Sequence, residues 1–223
     1  APAPHAQTGP RGQGPEEANQ HAATHFITPG HVVPETAKRS AGGVPRDEAG
    51  RPYDYLHLGR ELPAFSGPML DGTRFSSDTL AGQWTLIEIW GVWCSDSRRD
   101  APYVQSLWNR IEADSDLAFL SIHVPHSAAT ADKAYGSYGS VEAYFEEEDY
   151  FWPVVIDTDA SIRETLATRW TPSYMLVAPD LTVQGYRNDL SASGQEDLVS
   201  ALLDRIDAVK ASYDPDAPRP PED

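Results

Sequence analysis

The chain has 223 residues, 40% of them hydrophobic, and its 34 Asp and Glu against 17 Lys and Arg give a net charge of −17. This length predicts one globular domain with extensions, and the acidic balance argues against nucleic acid or an anionic membrane surface as a partner. Because no run of about 18 apolar residues occurs, no segment is predicted to span a bilayer.

Both ends of the chain have the composition of disordered segments. Residues 1–50 contain seven Pro, seven Gly and a single aromatic residue, Phe26. Such a segment buries too little apolar surface to offset its ordering entropy, so we predict a disordered leader over 1–50. The proline-rich residues 214–223 are predicted to be a disordered tail, which leaves 51–213 as the domain. The spacings of the leader histidines match no compact metal-ligand set, namely His5, His21, His25 and His31.

The first half of the domain shows a hairpin followed by a parallel strand pair. Residues 62–75 alternate apolar and polar side chains around Asp71-Gly72, which predicts a β-hairpin. Residues 84–90 form a nearly continuous apolar run, typical of a parallel strand covered on both faces. A helix over 96–113, with Tyr103, Leu107 and Ile111 recurring along it, and a strand over 117–124 complete a βαβ unit.

The second half predicts a helix-covered sheet that ends in an antiparallel pair. A short acidic helix over 141–149 precedes a strand at 152–157 and a helix near 162–169. The strands 173–178 and 182–187 are joined tightly by Pro179-Asp180, so they should pair antiparallel. The last helix, 196–211, has an apolar face made of Leu198, Leu202, Ile206 and Val209. The pattern therefore predicts an α/β fold with a central mixed sheet flanked by helices.

Cys94 is the only cysteine, which excludes a disulfide within the chain. It directly follows a buried strand and precedes a helix, so its sulfur should lie at a helix N-terminus, where unpaired N–H groups and the helix dipole favour a thiolate. Arg98 and Arg99 would support that charge, and Asp96 would oppose it. An isolated cysteine is more often a buried structural residue, but this context favours a reactive thiol.

Two further positions carry chemical interest. Glu88 lies in the middle of the apolar strand, where desolvation should raise its pKa and where it could pass protons to the thiol. The alternative is that Glu88 pairs with a basic residue or reaches solvent. Pro172 stands at the start of a strand, where a cis bond after Thr171 would turn that backbone toward an extended peptide. An ordinary trans turn is the alternative.

Together these residues resemble the thioredoxin superfamily: Trp93-Cys94, Glu88, Pro102 within the helix, and Thr171-Pro172 before the last hairpin. Residues 62–90 resemble the TlpA-like branch, the secreted or membrane-tethered reductases of bacteria. The resemblance spans about 58–211 and implies a thioredoxin-like fold with an N-terminal β-hairpin extension. It implies Cys94 as nucleophile, Glu88 in proton handling and Trp93, Thr171 and Pro172 in substrate binding, with no cofactor and no metal. The leader would then resemble a tether whose signal or anchor has been removed, which implies a periplasmic or otherwise extracytoplasmic location.

Ser97 stands where that family has its second cysteine. A serine cannot resolve a mixed disulfide, although its hydroxyl could stabilise the Cys94 thiolate. The prediction is therefore monothiol thiol–disulfide exchange with protein thiols and disulfides, with a small thiol as a further candidate partner.

Four alternatives remain open at this point. The chain could be a non-catalytic thioredoxin-like binding module, or a dithiol reductase whose resolving cysteine was replaced at Ser97. A peroxiredoxin would need Thr or Ser three residues before the cysteine, where Gly91 stands. A copper-handling role would use Cys94 with His123 and His126, but the paired-cysteine motif of such chaperones is missing.

Overall fold

The computed structural model describes residues 22–23, 26–114, 116–193 and 197–221. Two short antiparallel pairs precede the main sheet: β1 (Lys38–Arg39) with β2 (Pro45–Arg46), and β3 (Ser66–Pro68) with β4 (Arg74–Ser76). The second pair confirms the hairpin predicted at 62–75. Its turn places Gly72 at φ 85°, a conformation that glycine adopts without steric cost.

Five strands form the central mixed sheet: β5 (Trp84–Trp90), β6 (Leu117–His123), β7 (Val154–Ile156), β8 (Ser173–Val177) and β9 (Val183–Arg187). Their spatial order is β7-β6-β5-β8-β9. β6 runs parallel to β5 and β7, whereas β8 runs antiparallel to β5 and β9. The parallel unit and the terminal antiparallel pair are both as predicted.

In the described ranges, four α-helices flank this sheet: α1 (Ser95–Ala113), α2 (Val141–Glu148), α3 (Ser161–Thr165) and α4 (Leu198–Ser212). Side chains of β5 alternate between two cores. Leu86 and Trp90 pack in one core with α1, α2 and α4, and Ile87 and Ile89 pack in the other with the N-terminal segments and α3. Glu88 therefore points toward the α1 side.

One predicted position in α1 is wrong. The sequence pattern placed Tyr103 on the apolar face, but Tyr103 is 36% exposed and its neighbour Val104 is fully buried. The buried positions Val104, Leu107 and Ile111 keep a spacing of three and four residues, so Val104 takes the place predicted for Tyr103, while Leu107 and Ile111 lie on the apolar face as predicted.

The predicted disordered leader is too long, because residues 26–50 pack against the domain. Phe26 and Ile27 are buried, and the Ile27 N–H donates to the Tyr186 carbonyl at 2.9 Å. This segment covers the edge strand β9, whose backbone groups would otherwise lack partners, and so it orders despite its few apolar residues. Residues 1–21, 24 and 25, with His5, His21 and His25, lie outside the described residues.

The predicted disordered tail also makes contacts. Arg219 lies 3.5 Å from Asp180, and the Pro220 ring lies beside Gly59. Residues 222–223 lie outside the described part of the chain. Within the part that is described, no helix is long and apolar enough to cross a membrane.

Candidate functional site

Cys94 occupies the N-cap of α1, directly after the buried strand β5 and a short turn. The thiol is partly exposed and donates to the Thr171 carbonyl, with 3.4 Å between Sγ and oxygen. The peptide bond between Thr171 and Pro172 is cis. The structure thus brings the predicted nucleophile and the predicted docking loop together at one end of the sheet.

Trp93 holds the cysteine loop against the end of β6. Its indole N–H donates to the Val124 carbonyl at 2.7 Å, and its ring meets His126 edge to face. Gly91 is needed for this geometry, because a Cβ there would lie 2.1 Å from the Trp93 Nε1. A Thr or Ser at position 91, as the peroxiredoxin alternative requires, would therefore displace Trp93.

His123 holds the same loop through a backbone hydrogen bond. It is fully buried at the end of β6, and its Nε2 accepts a hydrogen bond from the Val92 N–H at 3.1 Å. Burial lowers the pKa of His123 to about 4, so the ring is neutral at pH 7. The two histidines of the copper alternative lie in different environments, because His123 is buried whereas His126 is exposed and its ring packs on Trp93. No group of three metal-ligating side chains is found in the described ranges.

Ser97 lies one turn into α1 and is buried. Its hydroxyl accepts a hydrogen bond from the Gly91 N–H at 3.2 Å. That contact ties the first turn of α1 to the end of β5, and it occupies the hydroxyl with the backbone. A direct stabilisation of the thiolate by Ser97 stays a prediction.

The charged residues of the first helical turns do not converge on the sulfur. Arg99 pairs with Asp96 at 2.8 Å, and Arg98 donates to the Val92 carbonyl. The cation that sequence reasoning missed is Arg163 of α3, which lies with its guanidinium 5.7 Å from the centre of the Trp93 ring. Burial lowers the pKa of Arg163, and the nearby Cys94 and Asp157 act in the opposite direction. No spacing in the sequence links Arg163 to Cys94.

Glu88 is buried on the α1 side of β5, as the sequence indicated. Within the described part of the chain, its Oε2 has no hydrogen-bond partner. Desolvation raises the pKa of Glu88 well above its usual range, and the charge of Asp100 raises it further. Burial therefore favours the uncharged form of this carboxyl, which lies on the side of the sheet that α1 covers.

Asp100 is a second buried carboxylate that sequence reasoning missed. It accepts from the Tyr174 hydroxyl at 2.8 Å and from the N–H groups of Leu190 and Ser191 at 2.7 and 3.0 Å. Residue 100 precedes Val104 by one helical turn, so the helical periodicity alone places Asp100 on the buried face. Asp100 joins α1 to β8 and to the segment after β9.

A cysteine at a helix N-terminus after a parallel strand, beside a Thr-Pro loop that opens an antiparallel strand, defines a thioredoxin-like fold. The sequence pattern of the AhpC/TSA family matches residues 58–186, more than half of the chain. The chain belongs to this family.

Curated relatives from bacteria are similar over part of their length. The thiol-disulfide oxidoreductase ResA of Bacillus cereus is 24% identical over 125 residues, which are 56% of this chain and 66% of the relative. ResA of Bacillus subtilis is 22% identical over 122 residues, which are 55% of this chain and 62% of that relative. The chain thus matches less than two thirds of either relative. These relatives support the TlpA-like assignment.

Solved structures confirm the fold. The thioredoxin domain of a thiol-disulfide oxidoreductase from Bacteroides vulgatus matches with a TM-score of 0.50 at 19% identity, over 66% of this chain and 96% of that one. An exposed lipoprotein thioredoxin from Streptococcus pneumoniae gives a TM-score of 0.50 at 19% identity, over 65% of this chain and 98% of that one. At this identity the similarity shows a shared fold alone.

Proposed function

We propose that this protein performs monothiol thiol–disulfide exchange through Cys94, with protein thiols and disulfides as partners. The observation that carries the proposal is the placement of the thiol. Cys94 is partly exposed at the N-terminus of α1, 3.4 Å from the Thr171 carbonyl and close to the Arg163 guanidinium. Helix N-termini and neighbouring cations favour the reactive thiolate.

The exchange proceeds by displacement at sulfur. The Cys94 thiolate attacks one sulfur of a substrate disulfide, an S–S bond forms to Cys94, and the other sulfur leaves as a thiolate that takes up a proton. The Thr171 backbone at the head of β8 offers its polar groups to an extended substrate segment, beside Trp93 and Pro172. Glu88 is the proposed proton source and acceptor and acts through water, because burial on the α1 side of the sheet raises its pKa.

Release of the substrate then requires a thiol from outside the chain. Ser97 cannot attack the mixed disulfide, and no second cysteine exists. An incoming thiolate frees Cys94, so the net reaction shuffles disulfides rather than reducing them unaided. A Ser97 that replaced a native cysteine is the alternative reading of the same site.

An extracytoplasmic location, with the leader as a tether, is part of the proposal. It is supported by the similarity to thiol-disulfide oxidoreductases and to a lipoprotein thioredoxin described as exposed. Such compartments are oxidising enough for disulfides to persist.

Mixed-disulfide formation with an oxidised model protein tests the function. Wild-type protein should form one adduct per chain, detected by intact mass, and Cys94→Ser should form none. Ser97→Cys should shorten the adduct lifetime by at least about tenfold, because a thiol one turn away resolves it. Ser106→Cys is the matched control, since it adds an exposed thiol on α1 about 18 Å along the helix from Cys94. A wild-type Cys94 that forms no adduct would favour the binding-module alternative.

A further inference from the structure

A groove opens beside the cysteine loop, between α3 and the segment after β6. Its volume is about 400 Å³, within the range of small-molecule sites. Its polar lining comes from His126, Ser127, Arg163, Glu164, Thr168 and Arg169.

Neither arginine of this groove forms an ion pair with a carboxylate among the described residues, although the Asp157 charge acts on Arg163 from a distance. Arg163 donates from one Nη to the Pro125 and His126 carbonyls, both at 2.8 Å, and from Nε to the Thr168 carbonyl at 3.4 Å. Those bonds fix the side chain and leave its second Nη without a partner in the described chain. The Asp157 carboxylate accepts from the Arg163 backbone N–H rather than from the guanidinium.

Arg169 is exposed, and over the described residues no carboxylate lies within ion-pair distance of it. Its charge is close enough to Arg163 to act on that guanidinium. Glu164 is the one carboxylate of the lining. Two neighbouring cations without ion pairs are unusual in a chain of net charge −17, and an anion between them would relieve their repulsion.

Arg163 links the groove to the cysteine loop. Its guanidinium lies 5.7 Å from the centre of the ring of Trp93, the residue before Cys94, and is close enough to Cys94 for their charges to interact. A ligand whose negative group meets the two arginines can therefore carry a sulfur to Cys94. The exposed guanidinium of Arg169 can bind a carboxylate in a bidentate geometry, and the free Nη of Arg163 can donate to the same group, which favours a carboxylate as that negative group.

We propose that the groove between Arg163 and Arg169 binds the carboxylate of a small thiol, whose sulfur forms a mixed disulfide with Cys94. This inference rests on the proposed exchange function and names its second thiol. A thiol of this class is what the chain needs, because Ser97 leaves the adduct without an internal resolving group.

The step conserves atoms and electrons. The Cys94 thiolate attacks the small-thiol sulfur of a mixed disulfide between that thiol and a protein, one S–S bond forms and one breaks, and the protein thiolate leaves and is protonated. A second molecule of the small thiol, as thiolate, then attacks the adduct, releases the Cys94 thiolate and departs as the symmetrical disulfide. The small thiol is the reductant of this second step.

A charge series of symmetrical disulfides tests the site on the whole chain. The probes are 3,3′-dithiodipropionate, 2-hydroxyethyl disulfide and cystamine, which are anionic, neutral and cationic at similar size. Intact mass gives the rate of adduct formation at Cys94. We expect the anionic probe to react about tenfold faster than the cationic one. The net charge of −17 alone would favour the opposite order.

Substitutions of arginine test whether the groove causes the faster reaction of the anionic probe. Arg169→Gln should reduce the anionic advantage to about threefold, and Arg169→Glu should remove it. Arg74→Gln is the control, because it removes one exposed positive charge on β4, away from the groove. Arg163→Lys keeps the charge and should keep part of the advantage.

Each outcome decides the proposal. Equal rates with all three probes would show that exchange operates without a carboxylate site, and the inference fails while the function stands. No adduct with any probe would overturn both. Equal rate changes for anionic and cationic probes in Arg169→Gln would show no charge recognition and also overturn the site. A disulfide carried by an acidic peptide is the last probe. If only this peptide reacts faster than its neutral counterpart, the groove binds protein substrates and the small-thiol inference is wrong.

Discussion

Two buried polar regions support the cysteine loop, and they respond to protons in opposite directions. The histidine region, made of His123 and its contacts, holds the loop through the Val92 N–H. The carboxyl region, made of Glu88, Asp100 and Tyr174, holds α1 against the sheet. Burial keeps His123 neutral by lowering its pKa, and it keeps Glu88 protonated by raising its pKa.

The two shifts have the same cause, because desolvation disfavours the charged form of both His123 and Glu88. A base and an acid are thereby both held toward their uncharged forms. Asp100 is stabilised differently, by three hydrogen bonds, with the buried Arg187 close enough for their charges to interact. Acid therefore weakens the histidine region, and alkali weakens the carboxyl region.

Removing Asp100 should produce the largest change. Asp100→Ala removes the acceptor of the Tyr174 hydroxyl and of the Leu190 and Ser191 N–H groups. It also removes one of the two carboxylates, Asp100 and Asp189, whose charges act on Arg187. We expect the free energy of unfolding to fall by about 3–5 kcal/mol, measured by urea denaturation.

Asp96→Ala is the matched control for that loss. Asp96 lies on the same helix, and its surface pair with Arg99 should be worth less than about 1 kcal/mol. Equal losses in the two variants would contradict a special role for the carboxyl region.

His123 should make stability depend on acid. Its folded pKa of about 4 lies below the ordinary 6.5, so its stabilisation is present above pH 6.5 and is lost as the pH falls through 4. The wild type should lose up to about 3 kcal/mol over that window relative to His123→Gln, which keeps an acceptor for Val92.

Denaturant titrations at a series of pH values measure this difference. His126→Gln, an exposed histidine three residues further on, should follow the wild-type curve. The informative quantity is the gap between variant and wild type, because burial also lowers the pKa of His31 and His57. A constant gap from pH 7.5 to 4 would rule out the histidine region as an acid-sensitive support.

The sequence predicted the parts of the site that depend on local patterns, and it missed the parts that depend on long-range contacts. The apolar run around Glu88 and the strand-to-helix placement of Cys94 follow from local patterns, and so the thiol and its buried carboxyl were predicted correctly in position. Arg163 was not, because its approach to Trp93 depends on how α3 folds back over the sheet end, a long-range contact that no local spacing records. The packing of Phe26 and Ile27 on β9 was missed for the same reason, since composition alone does not show an available edge strand.

Glu88→Gln should give the smallest effect and the opposite pH dependence. The folded pKa of Glu88 is raised, so its contribution is present below the unfolded value and is lost as the pH rises through the folded pKa. Gln keeps the volume of the side chain and cannot ionise. The variant should match the wild type near pH 4 and become more stable than it on the alkaline side, by less than about 2 kcal/mol.

The same variant distinguishes proton storage from simple packing. If Glu88 exchanges protons with the thiol site, Glu88→Gln should slow Cys94 adduct formation while it raises alkaline stability, and these two effects have opposite signs. Glu112→Gln, an exposed carboxyl of α1, should change neither. Parallel stability curves for Glu88→Gln and wild type would mean that folding does not shift the pKa of Glu88. In that case the contrast between the carboxyl region and the histidine region would disappear.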